Sequence, residues 1–368
     1  MTEISNTFYN PYPYFYFIAF FFIFTLIQNN KTVDKQLVYL YYTFVFFVML
    51  VIGFRGNYDE YTRVFVLIPT LENFFNEDYN VISEKGYVFT FISSTFKTIG
   101  FNSQSLFLFF SSTAVFIHAY FFRKFTKYYF LAFLLYLSHE ICLKEWIGLR
   151  MGFASALLLP MIYYLYKGQK VKFFILVVIA TLVQYVAILS LFLYFLRYRI
   201  KPIYLFLGLV VALLLMESGI VYQTVWSLDS MNILPGIISS YMRTEVYVYD
   251  VGLNHPKTIQ QIIVITIFIL LIHKKDNEDI PKVYYLLFNA YYLGTILMII
   301  FSELALFAFR FNGHFASVEP ILITYLIYKF RHKILVSSFL AFGSLMVAYI
   351  NYIVIRRVPD YFLFVNYP

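Results

Sequence analysis

Apolar stretches separated by short polar connections run along nearly the whole chain, from Tyr12 to Ile355. Many approach the ~20 residues that a helix needs to cross a bilayer core. Read by length and by the fall of charged residues, they predict ten full spans. These lie at roughly 12–28, 36–54, 105–122, 128–142, 147–166, 203–218, 259–273, 283–301, 315–329 and 334–355. The expected fold class is all-α, a polytopic integral membrane protein forming a single transmembrane domain over 1–368. Two stretches break the alternation. Tyr87–Ile99 is short for a span and carries Lys97, which predicts an interfacial or re-entrant helix. Lys172–Phe195 has cations at both ends, which predicts a broken helix pair returning to its starting side, with its apex near Gln184. Non-helical backbone within a membrane persists only where protein buries it or water lines it, so that apex points to a site.

Composition strengthens the class. Apolar residues make up 61% of the chain and charged residues 13%, with mean hydropathy +0.72; a soluble domain is about a quarter charged. Tyrosine (36 residues) and phenylalanine (45) are heavily used, many tyrosines at stretch ends where interfacial anchors belong. The charges orient the chain. Six short connections, from Lys31/Lys35 to Lys329/Arg331/Lys333, hold 17 of the 28 Lys and Arg residues, which marks them as cytoplasmic. Residues 55–85 carry three cations against six acids, and 217–258 two against four, so the external loops are expected at about 55–104 and 217–258. The net charge of +8 lies in these clusters between apolar stretches, which reads as orienting charge and not as a nucleic-acid surface. A lone cysteine, Cys142, excludes an internal disulfide or a Cys-based zinc site. Met1–Pro11 lack Lys and Arg, and no small-residue cleavage site follows Phe15–Leu26, so the first helix is expected to stay in the mature protein.

Ionisable groups in or beside a membrane are costly, which makes them functional candidates. Arg150 opens a span at its external end, followed by the small residues Gly152, Ala154 and Ser155 that permit close packing. Its guanidinium stays charged and offers paired donors to phosphate oxygens; snorkelling at the interface is the plainer role. Arg310 and His314 lie in an aromatic-rich external segment leading into the span 315–329. Arg310 has interfacial anchoring as its alternative, and His314 a hydrogen-bonded interfacial role. The run Arg55-Gly-Asn-Tyr-Asp59-Glu60-Tyr61 sets charges and tyrosines just after a span, suited to sugar hydroxyls and rings, or to a solvated helix start. Glu84-Lys-Gly86-Tyr87 heads the short helix, where a carboxylate also suits a helix N-terminus. Asp59 and Glu84 are the candidate catalytic bases. Glu140 and Lys144 sit four apart, at pairing distance on a helix. No phosphate-binding glycine loop, metal-ligand cluster or HExxH occurs, so neither cofactor nor metal is expected.

Taken together, these residues resemble the EpsG/Wzy-type polysaccharide polymerases of bacterial inner membranes. The likeness rests on four segments in the family's order. Asn57-Tyr-Asp59-Glu-Tyr61 resembles an Asp-Tyr-x-x-Tyr run, and Glu84-Lys-Gly86-Tyr87 a Glu-Pro-Gly-(Phe/Tyr) helix start. Leu149-Arg150-Met-Gly-Phe-Ala resembles Ile-Arg-Gln-x-Ile-Ala, and Arg310-Phe-x-x-His314-Phe a late arginine–aromatic segment. Lys85 and Met151 replace the family's Pro and Gln, and Gln184 stands where a Phe-His-x-Ser-Ala run has its histidine. Glutamine accepts no proton near neutral pH, which speaks against a histidine base there. The resemblance implies a GT-C-like membrane glycosyltransferase that acts, without metal, on the external face of the inner membrane. Its substrates would be undecaprenyl-pyrophosphate-linked oligosaccharides, with the bilayer and a chain-length regulator as partners. Substrate-binding roles would fall to Arg150, Arg310, Gln184, Tyr61, Tyr87 and His314. A lipid-linked-oligosaccharide flippase and an O-antigen-type ligase are the competing readings.

Overall fold

Helices account for all the regular secondary structure among the residues that the computed structural model describes, which are 12–30, 35–54, 60–74, 86–141, 144–145, 148–233, 251–253, 255–273 and 280–354. Among these described residues, five helical stretches are long and apolar enough to cross a membrane: Lys35–Gly53, Ser103–Phe125, Leu149–Tyr166, Lys282–Ile300 and Lys333–Val354. A sixth candidate is the pair Pro202–Ser218 and Ile220–Ser230, bent by 58°. The apolar helices Tyr14–Gln28, Tyr185–Phe195 and Pro256–Leu271 are shorter. In chain order we number α1 (Tyr12–Asn30), α2 (Lys35–Gly53), α3 (Glu60–Leu67), α4 (Tyr87–Ile99), α5 (Ser103–Phe125), α6 (Tyr129–Leu135), α7 (Leu149–Tyr166) and α8 (Lys170–Val183). There follow α9 (Phe192–Phe195), α10 (Pro202–Ser218), α11 (Ile220–Ser230), α12 (Pro256–His273), α13 (Lys282–Ile300), α14 (Ala305–Phe315), α15 (Glu319–Ile327) and α16 (Lys333–Tyr349).

The outer helices are apolar on both faces. On α2, Leu37, Tyr41, Val45, Val48 and Ile52 are buried at helical spacing, yet Tyr39 on the opposite face is 75% exposed. On α16, Phe339 is 77% exposed. Water would penalise such a surface; a hydrocarbon environment satisfies it, provided the helix closes its own backbone hydrogen bonds. This is a helical membrane protein.

The chain divides into two compact units. The first comprises Met1–Pro160, Ile179–Tyr185 and Pro320–Pro368. In it α1 packs on α6 and α16, and α2 on α5. The Tyr41 hydroxyl donates to the Ala119 carbonyl at 3.1 Å. Two widened turns meet here: α6 runs on into a π-helical turn at Tyr136–Glu140, and α16 into another at Ile350–Val354. Such turns displace carbonyls from regular α-helical partners. Asn351 donates to the Ser138 carbonyl at 2.9 Å and the Tyr352 hydroxyl to that of Leu137 at 2.8 Å, which supplies polar partners inside an apolar bundle.

The second unit comprises Met161–Val178 and Val186–Glu319. Its centre is α13, on which α10, α12 and α14 pack. A buried hydrogen-bonded set joins three of these helices: Gln261 donates to Asn312 at 3.0 Å, and the Thr295 hydroxyl to the Gln261 side-chain oxygen at 3.2 Å.

One expected feature differs. The aromatic-rich segment carrying Arg310 and His314, expected to lead into a span starting at 315, is itself the helix α14, and a short 3-10 turn, Ala316–Val318, separates it from α15. Ala305, Ala308, Asn312 and Phe315 are buried at spacings of three and four, a helical stripe that tertiary packing favours despite Gly313 and the crowding of aromatics.

Candidate functional site

The start of α4 holds the first piece. Gly86, at its N-cap, adopts φ +85, and a Cβ there would lie 2.8 Å from the carbonyl oxygens of both Leu182 and Val183. Only glycine allows this approach. The helix is tied down at its other end by Lys97, which donates to the carbonyl of Val66 in the last turn of α3 at 2.9 Å and to that of Ile68 just past it at 2.6 Å. At 13 residues, α4 is ~20 Å long, too short to cross a bilayer core.

Leu182 and Val183 end α8, and the helix breaks at Gln184, where the cation pattern placed an apex. A 3-10 stretch, Tyr185–Leu191, and then α9 carry the chain back. The return is visible at the feet, where the Phe174 and Tyr194 rings meet at 5.5 Å. A helix end leaves carbonyls without intrahelical partners, and Gly86 lies against two residues of that last turn. Gln184 itself is half-buried.

Arg150, in the first turn of α7, is the third piece. Its guanidinium carbon sits 5.7 Å from the centre of the Phe89 ring, one turn into α4 from Gly86. Phe89 packs on Phe110 at 5.2 Å, and Phe110 on Phe153 at 5.1 Å, so an aromatic stack supports the arginine from its own helix. The first turn of a helix adds N–H groups without helical partners and the positive end of its dipole. Such a helix start beside a guanidinium can hold an anion. Gly152 lets the preceding segment approach: a Cβ there would lie 2.5 Å from Glu145 Oε2.

Beneath Arg150's helix start lies a polar group. Glu145 is fully buried and accepts from the Tyr136 hydroxyl at 2.8 Å, while the Ser111 hydroxyl donates to its main-chain carbonyl at 3.2 Å. Glu140 and Lys144 form an ion pair at 2.5 Å, the pairing their spacing predicts. His118 stacks on Tyr136 at 4.5 Å and bonds through Nδ1 to the Ala114 carbonyl at 2.9 Å.

The second unit holds Arg310 and His314. Arg310 is half-buried on α14. His314 is fully buried, its Nε2 2.8 Å from the Ser190 hydroxyl in the stretch that follows Gln184. Unforeseen from sequence was Glu319, buried at the start of α15. It accepts from Lys257 at 2.8 and 3.1 Å, Gln260 at 2.7 Å and Tyr291 at 3.0 Å. The available signal was a carboxylate inside a predicted span, which is costly there unless paired. Tyr87 is half-buried as the first residue of α4. Tyr61 lies on α3, with its side chain outside the described residues; Asp59 and Glu84 lie outside them altogether.

The first unit thus brings together the Gly86-Tyr87 helix start, the break beside Gln184 and Arg150. The chain is similar to the amylovoran biosynthesis protein AmsC of Erwinia amylovora, 26% identical over 265 residues, which cover 68% of this chain and 67% of that protein. No solved structure matches. The EpsG family model matches residues 38–368, nearly the whole chain, and the protein belongs to the EpsG family.

Proposed function

We propose that this protein is a membrane glycosyltransferase that polymerises undecaprenyl-pyrophosphate-linked oligosaccharide repeat units on the external face of the bacterial inner membrane. The observation that carries the reading is the meeting, within one unit, of Arg150, the start of α4 and the break at Val183–Gln184. Family membership and the name of the Erwinia relative, a biosynthesis protein for amylovoran, point the same way. In this reading the chain has ten spans in a GT-C-like arrangement, with external loops at about 55–104 and 217–258 and a chain-length regulator as partner.

The chemistry follows from the leaving group. An acceptor sugar hydroxyl attacks the anomeric carbon of the donor glycan, the bond to pyrophosphate breaks, and undecaprenyl pyrophosphate departs with the electron pair. The hydroxyl proton passes to a carboxylate, for which Asp59 and Glu84 are the candidates. Pyrophosphate needs no general acid; it needs its developing charge stabilised, the part assigned to Arg150 and Arg310. Gln184, Tyr61, Tyr87 and His314 are assigned to substrate binding, and no metal takes part.

Removing the protein from its cell should abolish the ladder of long polysaccharide while single repeat units still reach the outer side, seen on a polysaccharide gel. Repeat units trapped on the inner leaflet would favour a flippase instead. Long lipid-linked polymer that is never transferred onward would favour a ligase. Within the site, Gln184→Leu keeps the size of the side chain but deletes its hydrogen-bonding groups. It should lower polymer formation about tenfold, the effect of one lost hydrogen bond to substrate, with the protein still inserted. Full activity in this variant would remove Gln184 from the site.

A further inference from the structure

Two of the cation clusters, 167–172 and 197–201, are far apart along the hairpin but come together at its feet in the second unit. The Lys170 ammonium lies 5.7 Å from the Tyr194 ring centre and the Arg197 guanidinium carbon 4.6 Å from the same centre. The two cations are therefore at most about 10 Å apart, on the order of one Debye length in physiological salt. Lys172 rests over Tyr164 at 5.1 Å and Arg199 over Tyr285 at 5.4 Å. The second cluster is tied to α13 and to its own tyrosine: Asn289 donates to the Leu196 and Tyr198 carbonyls at 2.5 and 2.9 Å, and Arg197 to the Tyr198 hydroxyl at 2.7 Å.

Orientation in a membrane needs only a count of cations on one side. It does not need them pinned around shared rings, where like charges repel. No aspartate or glutamate occurs anywhere in residues 146–216, so the two clusters and the helices joining them carry no carboxylate of their own. The clustered positive charge attracts an anion. Its neighbours say which kind. Val171, between Lys170 and Lys172, is 73% exposed, and so is Phe195, two residues before Arg197; Ile203, two after Lys201, is 56% exposed. Cations bordered by exposed apolar side chains match a molecule with a phosphate head and hydrocarbon tails, and neither a free anion nor an acidic protein segment.

We propose that the feet of this hairpin, centred on Lys170, Tyr194 and Arg197, form a binding site for the phosphate headgroup of an anionic phospholipid, with the acyl chains lying along the exposed apolar residues beside it. This site shares no residue with the glycan chemistry assigned to Arg150, Arg310 and the other candidate substrate residues. It gives the broken helix a fixed footing in the leaflet that carries anionic lipid.

The test is lipid retention by the full-length protein in detergent, after delipidation and addition of phosphatidylglycerol and phosphatidylcholine in equal amounts, read by native mass spectrometry. The wild type should retain phosphatidylglycerol about tenfold over phosphatidylcholine. Lys170→Gln with Arg197→Gln should bring the two lipids to parity, as expected for two surface cations. Lys329→Gln with Lys333→Gln, in another basic connection, should leave the preference intact. Arg197→Lys keeps the charge and should keep most of the preference, which guards against a folding artefact; each variant is checked for a monodisperse elution profile. Equal retention of both lipids by the wild type, or an unchanged preference in the double variant, would overturn the proposal. So would displacement of phosphatidylglycerol by excess inorganic phosphate with no dependence on lipid, which would mark a free-anion site.

Discussion

Replacing Arg150 by alanine should abolish nearly all long polymer, and replacing it by lysine should abolish most, while both variants accumulate in the membrane at wild-type levels. The size of the effect separates two roles for this residue. If Arg150 only braces the fold, its loss removes packing contacts such as the one over the Phe89 ring, worth about 0.5–1 kcal/mol, and the loss shows in protein level and not in the ladder made per molecule. If it holds the donor pyrophosphate, what is lost is stabilisation of charge that grows as the bond breaks. That loss is on the order of ten- to a thousand-fold in rate, or roughly 1.4–4 kcal/mol. Lysine keeps the charge but not the planar pair of donors, and cannot lie on the Phe89 ring in the same way. The helix N-terminus at α7 remains in both variants, so a residue of activity should persist. A polysaccharide gel beside an immunoblot reads both quantities. A normal ladder from Arg150→Ala would leave anchoring as the arginine's role.

What could be read ahead of the structure was whatever depends on the charge and length of single segments. The break at Gln184 is legible because cations at both ends of Lys172–Phe195 cannot share a side of the membrane with one straight helix between them. The short α4 is legible because Tyr87–Ile99 is too brief to span. The ion pair of Glu140 with Lys144 follows from their spacing. What could not be read depends on partners distant in sequence. Glu319 is held by Lys257 and Gln260, from a different helix, and nothing local to either segment names the other. The helix α14 hides behind Gly313 and its aromatics, because its stability comes from the stripe buried in the second unit and not from propensity. The contact of Gly86 with the end of α8 is made by backbone alone on one side and by a missing side chain on the other, so no residue type announces it.

That contact leads to the second large effect. Gly86→Ala should cost at least tenfold in polymer formation and lower the thermal stability of the purified protein well below that of Gly100→Ala. Both glycines have positive φ, +85 and +88, so both substitutions carry backbone strain. It amounts to about 1–2 kcal/mol for an ordinary left-handed residue such as 100. It reaches about 1–3 kcal/mol at Gly86, whose ψ of 130 lies outside that well. The surroundings then separate them. Nothing lies within 4 Å of a Cβ at position 100, whereas at position 86 two main-chain carbonyls stand 2.8 Å away. Backbone cannot rotate aside as a side-chain tip can, so α4 and the end of α8 must move apart, at an overpacking cost of roughly 1–3 kcal/mol. The displacement falls on the two segments that flank Tyr87 and Gln184, the residues assigned to substrate. Thermal unfolding in detergent and the polysaccharide ladder are measured for both variants. Equal losses in the two would mean that the approach of Gly86 to Leu182 and Val183 has no consequence beyond local strain. A larger loss at 86 in both readouts ties the start of α4 to the break in α8, and ties both to polymer formation.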